Sequence, residues 1–357
     1  MNFIAANMGS YPRIGDQPGQ QRLLEAAGSA GRLELEAGRL DEIQQEVIRD
    51  ILAEQVKAGL DAVSDGQVRW ADPVSHLMGR LANVTPGALL RYFDTPLHFR
   101  RPAVSGPVAL RDTSLAADEV KWTVAVSARP VAVTLPGPLT LSRLAIRRGN
   151  AYASPDALMD ALVPLLADEV ARLSVAGAYA IVIEEPCLLR EPEAFPRLND
   201  ALEVIAARRG ASRLWVFPSF GDAGALYDRL QALPVDGLVL DLTRGTGAAE
   251  AVASAGSRLA ILLGIADVRT TKLETPGQMA KTAAALLRNV RAPLAGLVPS
   301  GGLEGLPRDR AFEKCRVLAK ARDLLSGKGG GRKRAASRKR SSGRTTAKRP
   351  GRRGAGR

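Results

Sequence analysis

An α/β fold of the (β/α)8 barrel class is what the sequence predicts, and two observations carry the prediction. Short, nearly continuous apolar runs recur along residues 1–326 and alternate with longer stretches of helical periodicity. The runs lack strict polar–apolar alternation, as expected of parallel strands buried on both faces. Eight such units over this length suit a barrel of about 250 residues that carries insertions. A doubly wound open sheet is the rival, but no Gly-x-Gly-x-x-Gly follows the first apolar run.

The first expected strand is Phe3–Met8. The helix Gly38–Ala58 follows, because Leu40, Ile43, Val47, Ile51, Leu52 and Val56 recur at helical spacing behind a polar face. A second strand is expected at Ala62–Asp65 and an insertion at Pro86–Ala116, whose extended run Leu97–Val104 suggests a hairpin lid. Val131–Leu135 is the third strand, and Pro155–Val175 is helical. Strands at Ala178–Glu184, Leu214–Pro218, Gly237–Leu242, Arg258–Gly264 and Ala295–Val298 complete the set of eight. Helices at Ala223–Leu233, Pro276–Val290 and Arg308–Ser326 lie between and after them.

Charge divides the chain in two. The whole sequence has a formal net charge of +13, yet Lys328–Arg357 contains 13 Lys/Arg and no acid. The remaining residues hold 37 basic and 37 acidic side chains, so the body is neutral and does not read as a nucleic-acid-binding fold. We therefore expect a barrel over 1–326 and a disordered Lys/Arg-rich tail over 327–357, too poor in apolar residues to order itself. The tail is either a solvated extension or an arm for a polyanion such as nucleic acid.

No apolar run approaches the roughly 18–20 residues of a membrane helix, and Met1–Ser10 lacks the features of a secretory signal. Cys187 and Cys315 are isolated thiols, so a reducing, cytoplasmic location is expected. His76 and His98 are the only histidines, too few for a site built mainly from His and Cys.

Barrel sites form at the C-terminal strand ends. Here those ends carry Gly9-Ser10-Tyr11-Pro12-Arg13, Asp65-Gly66-Gln67-Val68-Arg69, Pro136-Gly137-Pro138-Leu139-Thr140 and Glu184-Glu185-Pro186-Cys187. Four polar, Gly/Pro-rich ends in series suggest a site on one rim. Candidate site residues are Ser10, Asp65, Gln67, Glu184 and Asp241, with Arg13 and Arg69 as anion binders for a carboxylate tail. Each has a plainer reading. Asp65 can cap the turn after its strand. Adjacent strand residues face opposite sides, so only one of Glu184 and Glu185 should face the site. Cys187 reads as a small buried hydrophobe, and Trp70, Trp122 and Trp215 as core.

The same motifs, together with Ile14-Gly15, Leu233-Pro234-Val235-Asp236-Gly237-Leu238, Asp241 and Pro299-Ser300-Gly301-Gly302-Leu303, resemble the cobalamin-independent methionine synthase family over about residues 1–326. The resemblance implies a (β/α)8 barrel that moves a methyl group from methyltetrahydrofolate to homocysteine, whose thiol a zinc ion activates. Zinc lowers the thiol pKa from its usual value near 8.5. The departures from the family fall at that centre. Its His-x-Cys is matched by Phe217 and Ser219, its zinc-binding Glu by Asp241 and its final Cys by Gly301. Ser10 matches a family Ser, Gln67 replaces a Glu and Glu184 replaces an Asp. Leu233–Leu238, Leu240-Asp241 and Pro299-Ser300 look like the zinc-less N-terminal barrel of two-barrel members. The basic run that follows the opening motif in the family is interrupted here by Asp16-Gln17-Pro18-Gly19.

Three readings follow: a methyltransferase of this family, a folate-binding or docking subunit for a zinc-bearing partner barrel, and a nucleic-acid-associated protein acting through its tail. Truncation after Ser326 tests the domain boundary. It should move the thermal midpoint by no more than about two degrees, because the lost residues have little apolar surface to bury. A large drop in a melting curve would show that the tail docks on the body.

Overall fold

A computed structural model describes residues 1–31 and 38–327. The tail expected beyond residue 327 lies outside the described residues. The described residues form ten strands: β1 (Asn2–Ala5), β2 (Val84–Arg91), β3 (His98–Val104), β4 (Ala132–Pro136), β5 (Ile146–Arg147), β6 (Ala180–Glu184), β7 (Arg213–Phe217), β8 (Gly237–Asp241), β9 (Ala260–Ala266) and β10 (Leu294–Pro299). Seven of them form one curled parallel sheet in the order β1-β10-β9-β8-β7-β6-β4. Helices join the parallel strands, as such connections require.

The apolar runs are buried on both faces. Ile4, Ala6, Val182, Trp215, Phe217, Val239, Leu262 and Val298 pack together inside the curl. Their neighbours Ile181, Ile183, Leu214, Val216, Leu238, Leu240, Ile261 and Leu263 pack outward in the larger core with the helices. The period of two therefore sets the direction of the strand-end residues. Glu184 continues the inward row of Ala180 and Val182, while Asp241 continues that of Val239.

The segment expected as a second strand, Ala62–Asp65, is reduced to two isolated parallel bridges. Ala62 meets Ala6, and Val63 meets Val131, so the segment lies between the two edges of the sheet. Its ladder ends there because Gln55 takes the next peptide group. Gln55, fully buried on the helix Arg39–Ala58, accepts the Ser64 N–H at 3.1 Å and donates to the Ser64 carbonyl at 2.8 Å. The same amide oxygen accepts from Asn7 Nδ2 at 3.2 Å, just beyond β1.

The insertion contains an antiparallel hairpin of β2 and β3, with Val84 opposite Val104 and Arg91 opposite His98. β3 also pairs with β5 in parallel. At the hairpin tip, Tyr92 meets Phe93, Phe99 and Phe220 edge-on, at ring separations of 4.9, 5.8 and 5.7 Å.

Helix Pro155–Val175 has the expected bounds. The expected helix Ala223–Leu233 is instead a 3-10 turn, Gly224–Leu226, followed by one helical turn, Tyr227–Leu230. Asp222 accounts for the difference. Its carboxylate accepts the N–H groups of Gly224, Gly247 and Ala248, which ties the segment to the next helix before its own can extend. Helices at Pro73–Gly79, Ala117–Val126, Pro138–Leu144, Phe195–Ala206 and Gly247–Ala255 add to those expected from periodicity. No helix among the described residues is long and apolar enough to cross a membrane.

Two buried glutamates hold helix starts against the sheet. Glu169 accepts the N–H groups of Leu115, Ala116 and Ala117 at 2.6–2.9 Å. Glu185 accepts those of Leu139 and Thr140 at 3.0 and 2.8 Å, and the Thr140 hydroxyl at 2.5 Å. Both exploit the free N–H groups and positive end of a helix. Gly137 is required beside Glu185, because a methyl group on it would overlap the carboxylate. Gly137→Ala should cost about 1–3 kcal/mol, the range for overpacking a tight site. Chemical denaturation measures it, and an unchanged midpoint would mean that the Glu185 carboxylate has a second seat.

Candidate functional site

The C-terminal ends of the parallel strands open on a cavity of about 320 Å³. Of the residues singled out from the sequence, Ser10, Gln67, Glu184 and Asp241 line it. Asp65, Arg13 and Arg69 do not. The Asp65 carboxylate turns back to accept the Gln67 N–H at 2.9 Å, an Asx turn. Arg13 donates to the Trp70 carbonyl at 2.6 Å and pairs with Glu304, which does line the cavity. Arg69 pairs with Asp41 at 2.6 Å and lies over the Trp122 ring.

Gln67 reaches the cavity through a strained turn. Gly66 and Gln67 both have positive φ, 71° and 54°, and for Gln this conformation costs on the order of 1 kcal/mol. Its amide donates to the Thr134 carbonyl at 3.2 Å. Ser10 sits against Gly302, where any side chain would meet its hydroxyl.

Of the four acids that line the cavity, Asp241 and Glu184 have different partners. Asp241 accepts the Thr243 N–H at 2.9 Å and hydroxyl at 2.6 Å, and Arg244 stands 3.4 Å from its other oxygen. Burial raises its pKa, while Thr243 and Arg244 oppose the rise. Glu184 is 8% exposed and has no counter-charge among the described residues. Burial pushes its carboxyl up to about 7, with only the neighbouring Ser219 hydroxyl pulling the other way. Burial also lifts the Tyr92 phenol well above its ordinary value, and the charge of Glu184 adds to the rise. The Tyr92 hydroxyl is buried at the cavity wall with no hydrogen-bond partner among the described residues.

Sequence reasoning missed the cavity's arginines and most of its aromatic wall. Arg244 lies three residues past Asp241 and bridges to Asp94 at the hairpin tip at 2.9 Å. Arg269 pairs with Asp267 at 2.9 Å and donates to the Thr243 carbonyl. Phe220 takes a positive φ of 62° and stacks on Phe93 at 5.4 Å. The only sequence signal was position: Arg244, Arg269 and Phe220 follow strand ends, and Tyr92 lies in the insertion.

The residues present do not fit a zinc ion. At the matching positions stand Phe217, which lines the cavity, Ser219, Asp241 and Gly301. Only Asp241 offers a strong ligand, and it is already engaged by Thr243 and Arg244. No group of three or more His, Cys, Asp or Glu that could hold a metal exists among the described residues. Burial pushes the Cys187 and Cys315 thiols up to about 12, away from the thiolate a metal needs. His76 stacks on Trp70 at 4.8 Å and meets Glu119 at 3.2 Å.

Comparison with known proteins places these observations in a family. The family described as cobalamin-independent synthase, N-terminal domain, matches residues 78–274. The 5-methyltetrahydropteroyltriglutamate–homocysteine methyltransferase of Rhodococcus jostii is 28% identical over 297 residues, covering 75% of this chain and 38% of that protein. The methionine synthase of Sulfurisphaera tokodaii is 27% identical over 327 residues, covering 89% of this chain and 91% of that one. The match thus spans between 24% and 38% of the length of the homocysteine methyltransferases and most of the Sulfurisphaera protein. A B12-independent methionine synthase from Shewanella sp. W3-18-1, solved with selenomethionine, superposes with a TM-score of 0.73 at 20% identity. It covers 94% of this chain and 100% of that one, a likeness of fold.

The raised Glu184 pKa has a stability consequence. In the unfolded chain a glutamate titrates near 4.3, whereas in the folded chain Glu184 holds its proton up to about 7. The folded state thus binds more protons in that window. Its stabilising contribution is complete below about 4.3 and is lost as pH rises through about 7. Glu184→Gln should flatten this decline and raise stability at pH 8 by on the order of 3 kcal/mol. Denaturation at pH 5 and pH 8 measures it. Lower stability of the variant at pH 8 would make Glu184 a structural residue.

Proposed function

Because this chain belongs to the cobalamin-independent methionine synthase family, through a match to its N-terminal domain, we propose that it is a (β/α)8-barrel methyltransferase-type protein. Its strand-end cavity receives the small molecules of thiol methylation, methyltetrahydrofolate and a homocysteine-like acceptor. One observation carries the reading. Ser10, Gln67, Glu184 and Asp241 come from separate strand ends and line one cavity. Such convergence on the C-terminal rim is how barrels build active sites. Ser10, Gln67 and Glu184 supply acceptors for a cationic or hydrogen-donating ligand. Asp241 holds Arg244 at the rim, where a ligand carboxylate would meet it. Arg13, Arg69 and Asp65 then act from outside the cavity, in holding the loops that border it.

The poor fit to zinc favours a second reading, an accessory subunit that binds folate or docks on a zinc-bearing partner barrel. The two readings part at turnover. In both, calorimetric titration should detect methyltetrahydrofolate or homocysteine, and Glu184→Gln should weaken the ligand whose cation it meets by about 2–5 kcal/mol. Under the first, the chain alone also forms methionine from the pair. Under the second, methionine appears only when a zinc-bearing barrel is added. Binding of neither ligand to the wild-type chain would sink both.

A further inference from the structure

The hairpin of β2 and β3 is built in two halves that meet at a weak point. Near its base Val84, Thr85 and Pro86 pair with Val104, Ala103 and Pro102. Further out Leu89, Leu90 and Arg91 pair with Arg100, Phe99 and His98. Between the halves the register shifts, and Gly87 and Ala88 on one strand face Arg101 alone on the other. Such a bulge bends the ladder where it stands. The last pair before it is Pro86 opposite Pro102, and neither proline has an N–H to give the ladder. The base is anchored, since Ala103 and Val104 also pair with β5. Asp72 holds the N–H of Arg100, beside the break, at 3.2 Å.

Beyond the break the tip runs along the cavity mouth. Tyr92, Thr95, Pro96, Leu97 and His98 line the cavity together with residues that follow β7, β8 and β10. The tip meets those loops through side chains. Phe93 stacks on Phe220 at 5.4 Å, and Arg190 lies over the Phe93 ring at 4.5 Å. Asp94 pairs with Arg244 at 2.9 Å. Pro96 lies where a methyl group on Gly305 would meet it at 3.2 Å. Among the described residues no backbone–backbone hydrogen bond joins the tip to these loops. The tip's own, from the Tyr92 N–H to the Leu97 carbonyl, closes its turn.

These ties are weak ones. The Asp94 side chain is 68% exposed, so water and salt compete for its pair with Arg244. Phe93 and Phe220 both hold a positive φ, 50° and 62°. The strain of two such residues is of the same size as the gain from stacking their rings. Arg244 keeps Asp241 as a partner when Asp94 leaves. Little net energy therefore holds the tip down.

We propose that residues 89–99 form a strap over the cavity, which swings at the Pro86/Pro102 break and is latched by Asp94 on Arg244. Small molecules enter and leave the cavity while the latch is open. The inference concerns access, and it holds for whichever small molecule the cavity takes.

The test reads access directly in the full chain, without a ligand. Ser300 lines the cavity and is buried, and Ser300→Cys places a thiol there with little change of shape. Alkylation of that thiol by iodoacetamide, located by peptide mass spectrometry to separate it from Cys187 and Cys315, reports strap opening. Adding Asp94→Asn keeps the shape of the latch and removes its charge. The rate should then rise about two- to fivefold, the factor that corresponds to an exposed ion pair. Without Asp94→Asn the rate should also rise as salt screens the latch, and with it the rate should be insensitive to salt. Phe93→Gly, which accepts the positive φ but lacks the ring, should raise the rate further. Thr134→Cys, at another position lining the cavity, repeats the measurement if Ser300→Cys does not fold. An unchanged rate in a folded Asp94→Asn chain overturns the strap. So does a rate that does not respond to salt while Asp94 is present. A faster rate matched by a fall in the thermal midpoint reports unfolding and overturns it too. Because no substrate enters the assay, its failure leaves the methyl-transfer reading intact. Failure of homocysteine and methyltetrahydrofolate to bind likewise leaves the strap standing.

Discussion

The buried amide of Gln55 is the contact on which the arrangement of this molecule turns. A curled parallel sheet must bring its two edges together, and here the bridging segment is too short to pair as a strand. Gln55 substitutes for the missing ladder. It binds both peptide groups of Ser64 and the Asn7 side chain, linking the end of β1 to the loop that carries Gln67. Ser64 extends the link, since its hydroxyl donates to the Gly9 carbonyl at 2.6 Å beside Ser10. A buried hydrogen-bond network of this kind rigidifies what it touches. Two of the cavity's edges, at Ser10 and at Gln67, therefore depend on one helix side chain.

The adjacent glutamates show how neighbours in sequence acquire unlike roles. Glu185 points out of the curl and meets the free N–H groups of a helix start, which oppose but do not cancel the rise to about 7 that burial gives its carboxyl. Glu184 points in, to the cavity that Phe217, its partner in the parallel register, also lines. Identical chemistry, displaced by one residue, yields a structural cap in one case and an unmatched acid in the other. An unmatched buried acid is a common property of binding and catalytic sites, because the ligand completes it.

The family relationship and the cavity also constrain each other. The match to the N-terminal domain supports the fold, while Phe217, Ser219 and Gly301 withhold the donors on which zinc chemistry depends. The hairpin gives the cavity an aromatic side, with Asp94 at its tip held by Arg244. Function resides in such a site rather than in the scaffold.

Much of the frame was legible in the residues themselves. Runs such as Ala178–Glu184 and Gly237–Leu242 read as buried parallel strands, and their period of two already required that only one of Glu184 and Glu185 face the site. Those features depend on backbone geometry over a few residues, so local sequence encodes them. The pairing of charges was not legible. Arg13 and Arg69 look like free anion binders in the sequence, yet Glu304 and Asp41 engage them, and it is Arg244 and Arg269 that line the cavity. Nor could the sequence reveal that Gln55 would cut the second strand short. Arg13 lies 291 residues from Glu304, and Arg244 lies 150 from Asp94. Which loops meet across such distances is set by how the whole sheet curls and where the helices settle. Local periodicity therefore determined the frame and the direction of the strand-end side chains, and tertiary packing alone decided which charge was left without a partner.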